Sequence, residues 1–331
     1  VTKMDKELIH IWNRCHHCDA SPIVGRRFHC ETCPDGPEND LCEKCYEKFR
    51  EGEIKHPAEG THLSILEIKD HRFIMVEGKP ASLYEGWLQV SIPEVPGPKV
   101  VDHFVVRPIF SSGLDSVMGG YSFVVKVGEG HPPVLLTALH VMDEMIKKKG
   151  IDCTETNKKY TGRELPAVIT HVDIYDVFAS NWMRAPLGSI GANPMLVLPH
   201  ARTGEEEPYS DRDMAAFWIK DPEHLNPAPL APQAPVVGDP VWLAVHIPGE
   251  PNKRTLKAVV VEITRRSLVF KYETPEEKKL YASGAPVLNK EGEVVGINVG
   301  GGEYKGQQFG HANHVENINR HLTVPLGLSK S

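Results

Sequence analysis

No apolar run in this 331-residue sequence approaches the roughly 20 residues that a membrane-crossing helix requires. A membrane partner is therefore not expected. Positive charge is not in excess either: 37 lysines and arginines stand against 44 aspartates and glutamates, a net charge of −7. Nucleic-acid binding usually demands a basic patch, so that class of partner is set aside. The first thirty residues hold no apolar segment ahead of a small-residue cleavage site, and a cytoplasmic protein is expected. Long helical patterns are scarce. After residue 45 cysteine is scarce too, since Cys153 alone of the seven lies beyond it.

What is there begins with the other six cysteines. They form Cys15-x2-Cys18, Cys30-x2-Cys33 and Cys42-x2-Cys45, and His56 and His62 follow. In a secreted chain, six cysteines could close three disulfides. Paired spacing, trailing histidines and the lack of a secretory signal read instead as metal binding. Eight ligands satisfy two tetrahedral zinc ions. About sixty residues bury little core, so metal would supply much of the folding energy. Stripping it is expected to unfold this part and leave the rest folded. Residues 10–69 are read as the metal module. Residues 70–99, rich in proline and glycine, are read as a linker, with Trp87, Leu88 and Val90 available to pack on a neighbour.

From residue 100 to 331, short apolar runs such as YSFVVKV, PVLLTALHV, PVWLAV and LKAVVVEIT alternate with Gly/Pro turns. That pattern predicts a mostly β sandwich or barrel. The proline-rich DPEHLNPAPLAPQAPVVGDP is too poor a strand former for a sheet interior and is read as joining two β halves. Acyl transfer by serine needs a base for its proton, a group to orient that base, and donors for the oxyanion. The candidates are Ser283 in ASGAP, His140 at the end of the PVLLTALHV run, and Asp213. Asp213 abuts the apolar strand MAAFWI and is preferred on that ground to its competitor Asp211.

Two resemblances follow from these motifs. The run CHHC…RRFHCETCPD…NDLCEKCYEK…H…H resembles the ZZ-type zinc finger. The resemblance implies Cys15, Cys18, Cys42 and Cys45 on one structural zinc ion, and Cys30, Cys33, His56 and His62 on a second. It also implies a recognition module for the free N-terminus of a peptide. Asp35 and Asp40 stand at the matching acidic positions, and His16 stands where a third acid would be.

The segments GGYSFVVKV, TALH, GDPVWLAV and VVGINVGG resemble those of chymotrypsin-like (trypsin-like) serine peptidases, over roughly residues 104–322. This implies a mostly β fold of two six-stranded barrels behind the two-zinc finger, and a His140–Asp213–Ser283 triad. It also implies an oxyanion hole from the N–H groups of Ser283 and Tyr281, and a substrate-binding border at Val299, Gly300 and Gly301 around the pocket for the residue preceding the cleaved bond. Tyr281 stands where such sequences usually carry glycine. Glu277, in the charged run TPEEKKL, and the pair His311 and His314 are candidates for selecting the substrate side chain. The expected function is a serine endopeptidase acting on protein or peptide substrates, its finger recruiting a protein or peptide partner. The alternative is a catalytically weak or inactive pseudopeptidase that serves as a protein-binding adaptor.

Overall fold

The computed structural model describes residues 7–32, 39–56, 70–128, 130–142, 169–179, 186–191, 194–197, 213–219, 223–247, 249–250, 252–274 and 282–326. The candidates Cys33, Asp35, His62 and Tyr281, with Asp211, Glu277 and Cys153, lie outside the described residues.

In the N-terminal part β1 (Leu8–His10), β2 (Ile23–Val24), β3 (Arg27–Cys30), β4 (Asp40–Cys42), α1 (Glu43–Arg50), β5 (Phe73–Val76), β6 (Lys79–Pro80) and α2 (Ala81–Gln89) follow one another. They make two small sheets, ordered β2-β1-β6 and β4-β3-β5. The first part of the stretch read as a linker forms regular elements, β5 pairing with β3 and β6 with β1, whereas residues 90–99 form neither helix nor strand. Pro93, Pro96, Gly97 and Pro98 fall in that irregular part. Gly78 lies between β5 and β6, and Pro80 is the N-cap of α2, close to the helix start that proline tolerates.

Helix α2 ties the finger to the C-terminal half. Tyr84 and Trp87 are buried with Ile9 and Ile11 on one side and Val259, Val261, Val269 and Phe309 on the other. The Tyr84 hydroxyl donates to the Ile9 carbonyl at 3.1 Å. At the end of the helix the Lys271 ammonium donates to the carbonyls of Leu88 (2.8 Å) and Val90 (2.5 Å). Burial holds this lysine below its usual range, as removal from water disfavours the charged form.

The first β half contains β7 (Val105–Ser112), β8 (Asp115–Met118), β9 (Ser122–Lys126), β10 (Val134–Thr137), β11 (His171–Asp176), β12 (Pro186–Gly191), β13 (Pro194–Val197), β14 (Ala215–Trp218) and β15 (Ala228–Pro229). Their path runs β12-β11-β7-β9-β10-β14-β13, with β8 on β7 and β15 on β9. These nine strands form one sheet, whose two ends do not pair among the described residues. The second half does close. Strands β16 (Pro240–Ala244), β17 (Thr255–Ile263), β18 (Leu268–Tyr272), β19 (Pro286–Leu288), β20 (Val294–Tyr304) and β21 (Gln307–His314) form a barrel in the order β16-β17-β18-β21-β20-β19.

The continuous apolar runs in the sequence have a simple cause. In β9, Phe123 and Val125 face the core shared by both halves, while Val124 faces a second core within the first half. A strand covered on both faces has no polar side to alternate. Helix α3 (Val315–Leu326) follows β21, with Val315, Ile318 and Leu322 buried against the shared core at helical spacing.

Candidate active site and metal centre

Strand pairing sets the first two candidates side by side. Thr137 of β10 lies opposite Ala215 of β14 in an antiparallel pair. His140, three residues past the one, and Asp213, two before the other, therefore emerge at the same end. His140 sits in a 3-10 turn, Leu139–Met142. Its backbone N–H donates to Asp213 Oδ1 at 2.9 Å, and its Nδ1 lies 2.5 Å from Asp213 Oδ2. A carboxylate only accepts, so Nδ1 carries the proton and Nε2 keeps its lone pair for use as a base. Asp213 is buried, and the double contact fixes the ring tautomer.

Ser283 lies on a turn between the two halves, and that turn is pinned on every side. The Ser283 carbonyl accepts from Tyr121 N–H (2.8 Å), and Gly284 N–H donates to the Asn298 carbonyl (2.8 Å). The Asn298 side-chain amide donates to the Ala282 carbonyl (3.1 Å). Gly284 has φ +82°, and a Cβ there would overlap the Tyr121 carbonyl and Thr137 Oγ1. Only glycine meets both demands at this position. A Cβ at Gly120 would meet the Ser283 carbonyl and Val141 Cγ1 together, so the serine turn and the residue after His140 flank one glycine. Among the described residues no hydrogen bond joins Ser283 Oγ to His140, and the Ser283 N–H has no intramolecular acceptor. Such contacts commonly tighten only when substrate is bound.

Ser283 opens into a cleft of about 640 Å³ that also takes in Gly300 and Gly301. Val299 does not line it and packs instead against the shared core. Neither His311 nor His314 lines it. The His311 ring lies 5.4 Å from that of Trp12. His314 is buried with Nε2 facing the Arg265 carbonyl, and burial holds its pKa below the usual histidine range.

The finger's candidate ligands gather into two groups. The sulfurs of Cys15, Cys18, Cys42 and Cys45 all lie within 4.8 Å of one another. Tetrahedral zinc with Zn–S bonds of about 2.3 Å requires S–S separations of about 3.8 Å, and Cys18 and Cys42 stand 3.8 Å apart. Burial first, then the neighbouring sulfurs, push the Cys45 thiol far above its ordinary value. A zinc ion between the four sulfurs would offset that cost and bind them as thiolates. The second group is Cys30, His56 and His71. Cys30 Sγ and His71 Nδ1 are 3.5 Å apart, against about 3.6 Å for a sulfur and a nitrogen on one tetrahedral zinc. His56 is 2% exposed, and neither ring nitrogen has a hydrogen-bond partner among the described residues, which a metal ligand would explain.

His71 escapes the sequence motif because it follows His56 by 15 residues (71−56) with no characteristic spacing. The signal available was topological: β5 starts two residues later and pairs Phe73 with Cys30. Asp40 is placed differently from a surface acid. Its carboxylate accepts from Arg27 (2.8 Å) and Asn13 (2.9 Å) and lies 3.0 Å from His29 Nδ1. Burial alone would raise its pKa, but the His29 hydrogen bond and the Arg27 charge outweigh this and hold it low.

Residues 120–297 match the trypsin-like peptidase domain family, and residues 9–55 match the ZZ type of zinc finger. No curated protein matches the chain. Among solved structures it is similar to the active form of the Rv3671c protease from M. tuberculosis, at 15% identity and a TM-score of 0.41, covering 72% of this chain and 91% of that one. It is also similar to a serine endoprotease from Yersinia pestis, at 15% identity and TM-score 0.41, covering 74% and 66%. Deg5 gives 14% identity and TM-score 0.39, covering 72% and 91%. The family match spans more than half of the 331 residues, and the chain belongs to the trypsin-like peptidase domain family, with a ZZ zinc finger ahead of that domain.

Proposed function

We propose that the protein is a serine endopeptidase acting on protein substrates, with a two-zinc finger that recruits a protein or peptide partner. The observation that carries this reading is the grip of both Asp213 oxygens on His140, beside a serine turn locked by its neighbours. In the reaction, Ser283 Oγ bonds to the scissile carbonyl carbon while His140 Nε2 takes its proton. The oxyanion is held by the N–H groups of Ser283 and Tyr281. As the C–N bond breaks, His140 returns the proton to the leaving amine, and water repeats the cycle to free the acyl group. Asp213 keeps the ring oriented and stabilises its charged form.

Fluorophosphonate labelling tests this directly, because only a serine with a working base is phosphonylated. Native protein should label at Ser283, and Ser283→Ala should not. A folded native protein that resists the reagent would leave the adaptor reading in its place.

Zinc here is structural. It supplies folding energy and no chemistry to the substrate. Cys15, Cys18, Cys42 and Cys45 hold one ion, and Cys30, Cys33 and His56 with one more histidine hold the other. His71, grouped with Cys30 and His56, takes that fourth place in this proposal, instead of the His62 that the resemblance implied. Metal analysis of purified protein should give two zinc ions per chain, with His71→Ala retaining about one and His62→Ala both. The reverse pattern would restore His62 to the site. Thiol ligands must stay reduced, and the cytoplasm suits them.

A further inference from the structure

The cleft beside Ser283 is not built by the peptidase half alone. Ile11, Trp12, Asn13 and Arg14 of the finger line it together with Gly300, Gly301 and Gly302 of β20. Three anchors fix that finger segment. Ile11 is buried to 1% exposure in the core shared with the barrel. The Asn13 amide donates to the buried Asp40 carboxylate. Cys15 belongs to the four-sulfur cluster.

Strand β20 offers an open edge at this point. Near its start it is paired on both sides, with β19 and with β21, but from Gly300 to Tyr304 its only ladder partner among the described residues is β21. An extended peptide can add to such an edge, its main chain supplying the hydrogen bonds. The finger ends that edge. A Cβ on Gly302 would overlap the Ile11 carbonyl and come within 2.7 Å of Trp12 Cε3, so two elements approach over a glycine that leaves no space for anything else. Trp12 is itself backed by the rings of His311 (5.4 Å) and Trp87 (6.5 Å).

We propose that the Trp12–Arg14 segment of the finger closes the cleft on the side preceding the scissile bond. Substrate can then lie along β20 for only about three residues, each advancing about 3.3 Å, before the next residue meets Trp12. The occupant is the extended peptide segment N-terminal to the bond cleaved, and the finger becomes a specificity wall of the peptidase. This inference rests on the peptidase reading given above.

The experiment has two arms. In the first, a site cleaved in denatured casein is found by mass spectrometry. Acetylated peptides carrying two to six residues ahead of that bond are then assayed. For native protein, kcat/KM should rise to about three residues and then stay within twofold. In Trp12→Gly it should climb further, by about tenfold, over the fourth and fifth residues, mainly through KM. A native kcat/KM that keeps rising more than tenfold from four to six residues overturns the proposal. The second arm needs no catalysis. Random hexapeptide pools are titrated into Ser283→Ala protein while tryptophan fluorescence is followed. The response should disappear in Ser283→Ala/Trp12→Phe. If casein is not cleaved and fluorophosphonate does not label, the peptidase reading fails, and the wall is judged by this arm alone. A response that survives Trp12→Phe, or no response at all, removes the wall.

Discussion

Asp213→Asn should lower kcat by about 10⁴-fold and leave the fold intact, the scale expected when a serine–histidine pair is held in the wrong tautomer. The local hydrogen bonds dictate which way the new amide would point. The His140 backbone N–H demands an acceptor at the position of Oδ1, 2.9 Å away, so the amide oxygen would settle there. The NH2 group would then face Nδ1, where Oδ2 now stands at 2.5 Å. A donor facing Nδ1 makes that nitrogen the acceptor and moves the ring proton to Nε2. Histidine in this form cannot take a proton from Ser283. KM should change little, because Asp213 is buried behind the histidine rather than exposed to substrate. Steady-state kinetics with circular dichroism as the fold control would check this. A fall in kcat of less than tenfold would mean that His140 does not act through Asp213.

How much of this was legible in the sequence follows the range of the interactions involved. Metal ligands three apart in a Cys-x2-Cys pair are set by local turns, and the four-sulfur group gathers as the zinc-finger resemblance implied. The pairing of His140 with Asp213 was readable because each ends or begins an apolar strand, and β10 and β14 are neighbours. His71 was not readable. Its place depends on β5 crossing back to pair with β3, a contact more than 40 residues from Cys30 in the chain (71−30). For the same reason the stretch 70–99 read as a connector: its strands are four and two residues long, too short to show a period, and the partners that stabilise them are distant. Asp40 was matched to a peptide-binding acid because nothing in its neighbourhood announces Arg27 and Asn13 as its partners within the finger. The roof that Trp12 forms over Gly302 likewise joins residues 290 apart (302−12).

Stripping the metal should lower the melting temperature of the peptidase half as well, on the order of 10 °C, rather than unfold the finger alone. Sequence by itself argued for independence, since the β half has its own core. The shared cluster changes the expectation. Ile9 and Ile11 of the finger and Tyr84 and Trp87 of α2 are buried on the outer face of the barrel, against Val259, Val261, Val269 and Phe309. Structural zinc in finger peptides supplies apparent folding energy on the order of 10 kcal/mol, so β1 and its neighbours should not persist without it. Losing Ile9 and Ile11 from the cluster costs about 1.5–3 kcal/mol for each large apolar side chain uncovered. A few such losses are a large share of the 5–15 kcal/mol that typically holds a domain together. Helix α2 should stay partly docked, since Lys271 still binds its last carbonyls, but Tyr84 would lose its acceptor on Ile9. The barrel should therefore remain folded at room temperature and melt earlier. Calorimetry with and without a chelator reads the result. An unshifted peptidase transition, with only a low-temperature finger transition lost, would show the two parts to be energetically separate. A downward shift that zinc reverses would mean that the metal supports the barrel surface next to Ser283 as well as its own finger.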